Sequence, residues 1–221
     1  MATMLSITNP KDKVVIFSPF YENYGADTIL SGAEPIYVPL VPPDFTFSIE
    51  QLENAFKQGA KALILCNPSN PCGKVFTFEE LTAIADVVKK YDAYVVTDEV
   101  YEHIVYAPNK HIYMQALDGM RERTIVCNSL SKTYSITGWR LGYVIANPEI
   151  IDRVKKVHDF LTVGAAAPLM EAATVGLKFD DKYYDELAAH YAHMKEVFVG
   201  GLEKLGLKYT DPQGAYYVLV D

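Results

Sequence analysis

Lysine, aspartate and arginine fall in this chain at spacings that could support covalent chemistry. The run Asn128-Ser-Leu-Ser-Lys-Thr-Tyr-Ser-Ile-Thr-Gly-Trp-Arg140 sets Lys132 among small hydroxyl residues, with an arginine eight positions later. Taken alone, a lysine in such a turn is a solvated surface residue in most proteins. A lysine that forms an imine must instead be held out of bulk water with a lowered pKa, and Ser129 and Arg140 could supply hydrogen bonds and charge to a phosphate group. Val96-Thr-Asp-Glu-Val-Tyr101 ends an apolar run on Asp98, which reads either as a cap or turn residue or as the partner of a cationic ring nitrogen. Asn67-Pro-Ser-Asn-Pro-Cys-Gly73 reads as a turn. Pro19-Phe-Tyr-Glu-Asn-Tyr24 carries aromatics of a kind that more often belong to a core.

The segments around these residues say how they would be positioned. Short apolar, β-branched runs at Val14–Phe17, Pro35–Val38, Ala62–Cys66, Tyr94–Thr97, Thr124–Cys127 and Leu141–Ala146 predict buried strands. Thr77 and Glu80 form a capping box ahead of Leu81, Ile84, Ala85 and Val88, and Ser48 with Gln51 repeats the device before Leu52, Ala55 and Phe56. Strand and helix therefore alternate from about residue 14 to residue 129, which predicts a parallel sheet with crossover helices and ligands at the carboxyl ends of its strands. Only residues 130 to 139 separate the last two strands, too few for a crossover helix. Leu141–Ala146 should then run antiparallel to its predecessor and bring Ser129, Lys132 and Arg140 to one edge. From Pro148 the pattern is helical, with Ile150–Phe160, Ala165–Leu177 and Asp181 to about Leu205 closed by Gly206. Ala215–Val220 reads as a final strand opening a second domain.

Composition bounds the function. The chain has 221 residues, half of them apolar, enough to bury a core of enzyme size. A net charge of −8 argues against a nucleic-acid surface. No apolar run reaches the length of a membrane span, and the N-terminal residues lack the build of a signal peptide, so a cytoplasmic protein is expected. Cys66, Cys72 and Cys127 have no paired spacing and read as reduced; no metal site is expected.

The lysine run resembles the lysine motif of the class I/II, fold-type I aminotransferases, in which the lysine holds pyridoxal 5′-phosphate (PLP) as a Schiff base. By that resemblance Lys132 carries the cofactor, Ser129 and Arg140 bind its phosphate, Asp98 pairs with the pyridinium nitrogen, and Tyr101 and Asn70 reach the phenolic oxygen. Tyr21 matches the ring that stacks on the pyridine face and is favoured over Tyr24 for that role; Cys72 stands where many members carry Thr. The fold implied is a three-layer αβα large domain with a mainly parallel sheet and one antiparallel strand, residues 1–178. Residues 179–221 would form a long connecting helix and the start of a small α/β domain. The activity implied is transfer of an amino group between an L-amino acid and a 2-oxo acid, by a homodimer. A β-lyase, or a PLP-binding sensor domain without turnover, is the alternative, and the donor is left open. Histidines 103, 111, 158, 190 and 193 match no cofactor position and read as surface or packing residues.

Compared with the family, the chain begins after a glycine-containing phosphate turn and ends before the arginine that clamps the substrate α-carboxylate. No arginine follows Arg153. Little or no transamination by this chain is therefore the expectation.

Overall fold

Apolar side chains point alternately to the two faces of the inner strands, and each face has its own helices. The computed structural model describes residues Met1–Asp221. Its sheet contains β1 (Lys13–Ser18), β2 (Glu34–Pro39), β3 (Ala60–Cys66), β4 (Tyr94–Asp98), β5 (Thr124–Ser129) and β6 (Gly142–Ile145), in the order β2-β1-β3-β4-β5-β6. The first five are mutually parallel, and β6 lies antiparallel to β5 with Ser129 opposite Gly142. The short link after β5 thus turns the chain back, as its length required.

On one face Val15, Phe17, Leu63, Leu65 and Val95 pack against α3 (Ile49–Lys57) and α4 (Phe78–Lys90) through Leu52, Phe56, Leu81, Ile84 and Val88. On the other, Val14, Ile16, Ala62, Ile64, Val96 and Ile125 meet α1 (Ala2–Ile7), α2 (Asn23–Leu30) and α5 (Pro148–Thr162) through Met4, Ile7, Tyr24, Ile150 and Val154. These are the three layers. A fully buried Leu, Ile or Phe contributes roughly 1.5–3 kcal/mol, against at most about 1 kcal/mol for an exposed ion pair, so the two cores hold the sheet. Both helix starts anticipated from sequence form. Thr77 and Glu80 make a full reciprocal capping box on α4, whereas Ser48 accepts from the Gln51 amide on α3 without the return bond.

Two expectations need correction. β2 and β6 are edge strands and less buried than the inner four, with three of six and three of four residues exposed, because each pairs on one side only. Ala215–Val220 is not a strand: it opens on a left-handed Ala215 (φ 57°), and this part of the chain touches neighbours through isolated bridges, Gly214 with Val105 and Val220 with Tyr209. α6 (Ala167–Gly176) and α7 (Asp181–Lys204) follow the predicted ranges, but α6 buries only Ala173 and α7 only Leu202.

Candidate active site

Side chains from the carboxyl ends of β1, β3, β4 and β5 converge on one cavity of about 370 Å³. Asp98 ends β4, level with Cys66 on β3 and Cys127 on β5. Its carboxylate accepts the Tyr24 hydroxyl at 2.7 Å and the Val100 amide at 3.2 Å. Loss of water pushes the Asp98 carboxyl above its usual range, against the pull of these two donors and with Glu99 adding repulsion. Burial, with Cys66 and Asp98 alongside, raises the Tyr24 phenol well above its ordinary value and keeps it a donor.

All seven residues singled out from sequence, Tyr21, Asn70, Asp98, Tyr101, Ser129, Lys132 and Arg140, line this cavity. Of the two asparagines in the turn after β3, Asn67 is buried and structural: its side chain accepts the Phe76 amide at 3.1 Å and donates to the Ile112 carbonyl at 3.4 Å. Asn70 alone faces the opening. Ser129 Oγ lies 2.6 Å from Ser131 Oγ and 3.1 Å from the Leu141 carbonyl, which fixes it beside the turn that carries Lys132. Arg140 adopts a left-handed backbone (φ 55°, ψ 45°), and its exposed guanidinium donates to the Thr137 carbonyl at 3.0 Å.

Lys132 departs from expectation in one respect. Its ammonium lies 5.6 Å from the centre of the Tyr216 ring. The Tyr216 hydroxyl raises the amine above its ordinary value, outweighing partial burial, which acts the other way. The anticipated depression is therefore not present, because the side chain is half-exposed with a hydroxyl facing it.

The sequence reading set Tyr24 aside and missed Ser131, Thr137 and Tyr217 on the cavity wall. Thr137 sits inside the lysine run, where the density of hydroxyl residues was the available signal; it donates to the Ser131 carbonyl at 3.2 Å. For Tyr217 no local signal exists, since its partner Tyr101 is 116 residues away. Among the histidines, His111 is half-buried with its ring against Glu99 (Nε2 to Oε2 3.2 Å), His103 is half-buried and the other three are exposed. Glu99, Glu102 and His111 come within 4.8 Å of one another through possible ligand atoms. The carboxylates there are already engaged, Glu99 by His111 and Glu102 by Asn128 and Tyr113.

The sequence pattern of the family described as "Aminotransferase class I and II" matches residues 1–221. Kynurenine--oxoglutarate transaminase 3 of Homo sapiens is 35% identical over 236 residues, covering 99% of this chain and 52% of that protein. The solved structure of N-succinyldiaminopimelate aminotransferase from Mycobacterium tuberculosis superposes with a TM-score of 0.94 at 32% identity, over 97% of this chain and 56% of the other. Aspartate aminotransferase from Thermus thermophilus with maleate gives 0.94 at 29% identity, over 100% and 58%. The chain thus spans about half the length of the relatives it matches. With the pattern matched throughout, and a relative's fold reproduced at 32% identity, the chain belongs to the class I and II aminotransferases, a family that works with pyridoxal 5′-phosphate.

Proposed function

We propose that this cavity is the PLP site of an enzyme that moves an amino group between an L-amino acid and a 2-oxo acid. The observation that carries the reading is the company Lys132 keeps: a shielded carboxylate, a guanidinium and three small hydroxyl residues line the same 370 Å³ opening. That donor set fits the group. Asp98 would face the ring nitrogen, Tyr101 and Asn70 the phenolic oxygen, Ser129 and Arg140 the phosphate, and Tyr21 the ring face, with Lys132 holding the aldehyde carbon. When bound, PLP supplies an electron sink for the charge that develops at the substrate's α-carbon.

The chain's own residues would do the rest. Asp98, held by Tyr24 and the Val100 amide, would present its carboxylate to the ring nitrogen from the cavity wall. Lys132 Nζ, once released by an incoming amine, would take the α-proton and give it back at the aldehyde carbon it had held. Arg140 and Lys132 are the two cationic residues on the cavity wall. A substrate carboxylate would therefore compete with the phosphate for Arg140, and weak transamination by the 221-residue chain is expected.

Residues 1–178 are read as the cofactor-binding unit and 179–221 as the start of a second. Three unpaired cysteines support a reducing, cytoplasmic setting. A homodimer belongs to the same reading, supported by the apolar side chains that α5 and α7 turn outward, among them Phe160, Val197 and Phe198. The relatives named for kynurenine, N-succinyldiaminopimelate and aspartate set the first donors to try.

The test is borohydride reduction of the PLP-loaded chain followed by peptide mapping, with exchange assays across those donors and a pyruvate and ammonia assay beside them. Label on the Lys132 peptide, lost in Lys132→Ala, and keto-acid-dependent exchange are expected. Label on another lysine overturns the site, and release of ammonia without exchange overturns the reaction.

A further inference from the structure

We infer that Tyr217 is a positioning residue for Tyr101, its hydroxyl setting the Tyr101 hydroxyl as a donor toward the Lys132 cavity. The inference rests on the reading of that cavity as the cofactor site. The two hydroxyl oxygens are 2.9 Å apart, and the rings meet edge to face at 5.8 Å and 89°. Both residues line the cavity, although Tyr101 itself is buried.

Counting protons leaves the pair one to spare. Two hydroxyls carry two protons, and their shared hydrogen bond uses one. The other is left for a third group, and the cavity beside both rings is where such a group would sit. A Tyr101 hydroxyl that accepts from Tyr217 is polarised and becomes a better donor in its turn. Burial pushes the Tyr101 phenol up, so it keeps its proton.

Tyr217 can impose this geometry because its segment is tied down from both sides. The Gln213 and Gly214 amides both donate to the Gly73 carbonyl at 2.9 Å, and the Ala215 amide donates to the Ile104 carbonyl at 2.8 Å. The Gln213 side chain accepts the Val75 amide at 2.9 Å. Gly214 has no room for a side chain, since a Cβ there would come within 2.8 Å of both Pro68 and Val75. The neighbouring Tyr216 also packs edge to face on Tyr101, at 5.2 Å and 85°, with its ring stacked on Tyr191 at 5.8 Å and 20°. Of the two adjacent tyrosines, Tyr217 is the one hydrogen-bonded to Tyr101.

The experiment is a pH titration of the absorption of PLP bound to the 221-residue chain. A hydroxyl donor to the ring oxygen stabilises its anionic form, so losing or weakening that donor raises the midpoint. Tyr101→Phe should raise it most. Tyr217→Phe, which keeps the ring and its packing, should raise it by about 0.5 to 1 pH unit, the worth of one ordinary hydrogen bond. The double variant should match Tyr101→Phe alone, because Tyr217 acts through Tyr101. A wild-type midpoint in Tyr217→Phe, or a double variant shifted beyond Tyr101→Phe, overturns the inference while leaving the site reading intact. Failure of the wild-type chain to take up any PLP that borohydride fixes on Lys132 overturns the site reading, and this inference with it.

Discussion

Asp98 is under two demands of opposite sign. Its raised carboxyl pKa means that the folded chain holds the proton more tightly than the unfolded chain does. The stability this group contributes is therefore present at low pH and is lost as pH rises through the folded pKa. Asp98→Asn removes the charge and keeps one oxygen for Tyr24, at the expense of the Val100 amide, whose acceptor is the other oxygen. The cofactor-free variant should show a higher urea midpoint than wild type at pH 7, while amino-group transfer falls by roughly 10²- to 10³-fold, as when a charge partner of the transition state is removed. An equal or lower midpoint would mean that the cavity hydrates the carboxylate well enough. At Lys132 the raised pKa sets the rate of loading, since only the neutral amine attacks an aldehyde. PLP uptake measured by stopped flow should accelerate as pH rises, and Tyr216→Phe should load faster than wild type at pH 8; a slower variant would show that Tyr216 guides the cofactor instead of holding the ammonium. The chemistry of these residues was legible in the chain because it sits in short runs at strand ends. The partners that tune it, Tyr24 for Asp98 and Tyr216 for Lys132, lie 74 and 84 residues away along the sequence and meet their targets only through the fold.

The elements were readable where one local pattern decides them. Thr77 and Glu80 start α4 by a capping box that needs four residues and no tertiary context. The structure adds a second duty for Glu80, whose other oxygen accepts from the buried Lys74 ammonium at 2.8 Å. Thr77→Ala should thus cost about 1 kcal/mol, the worth of a cap, and Glu80→Gln about 3 kcal/mol, because it also leaves Lys74 without its counter-charge. Urea denaturation of the two variants checks this; equal losses would mean that Lys74 finds another partner. Edge strands were not readable, since Pro35–Val38 and Leu141–Ala146 are as apolar as inner strands and only pairing reveals their exposure. Ala215–Val220 failed as a strand for a related reason: its β-branched and aromatic residues satisfy the propensity, but its hydrogen bonds go singly to Ile104, the Tyr106 hydroxyl and Thr210 rather than to a ladder.

The molecule as a whole is unevenly consolidated. Its sheet is packed on both faces, whereas Phe160, Val163, Val197, Phe198 and Leu205 remain outside. Light scattering on the 221-residue chain should give a mass above the 24.7 kDa of one copy if those side chains find each other, and Phe160→Glu with Phe198→Glu should reduce it; an unchanged mass would place the contact elsewhere. α7 buries Leu202 alone, yet its two ends are moored. Tyr183 donates to the Thr133 carbonyl at 2.7 Å near its start, and beyond its far end residues 213–215 are hydrogen-bonded to Gly73 and Ile104. In hydrogen–deuterium exchange these features separate. The amides along the middle of α7 should take up deuterium early, by local openings that cost little, whereas the Ala215 amide should exchange late with the sheet. Tyr217 would then stay beside Tyr101 through openings that unwind most of the helix leading to it.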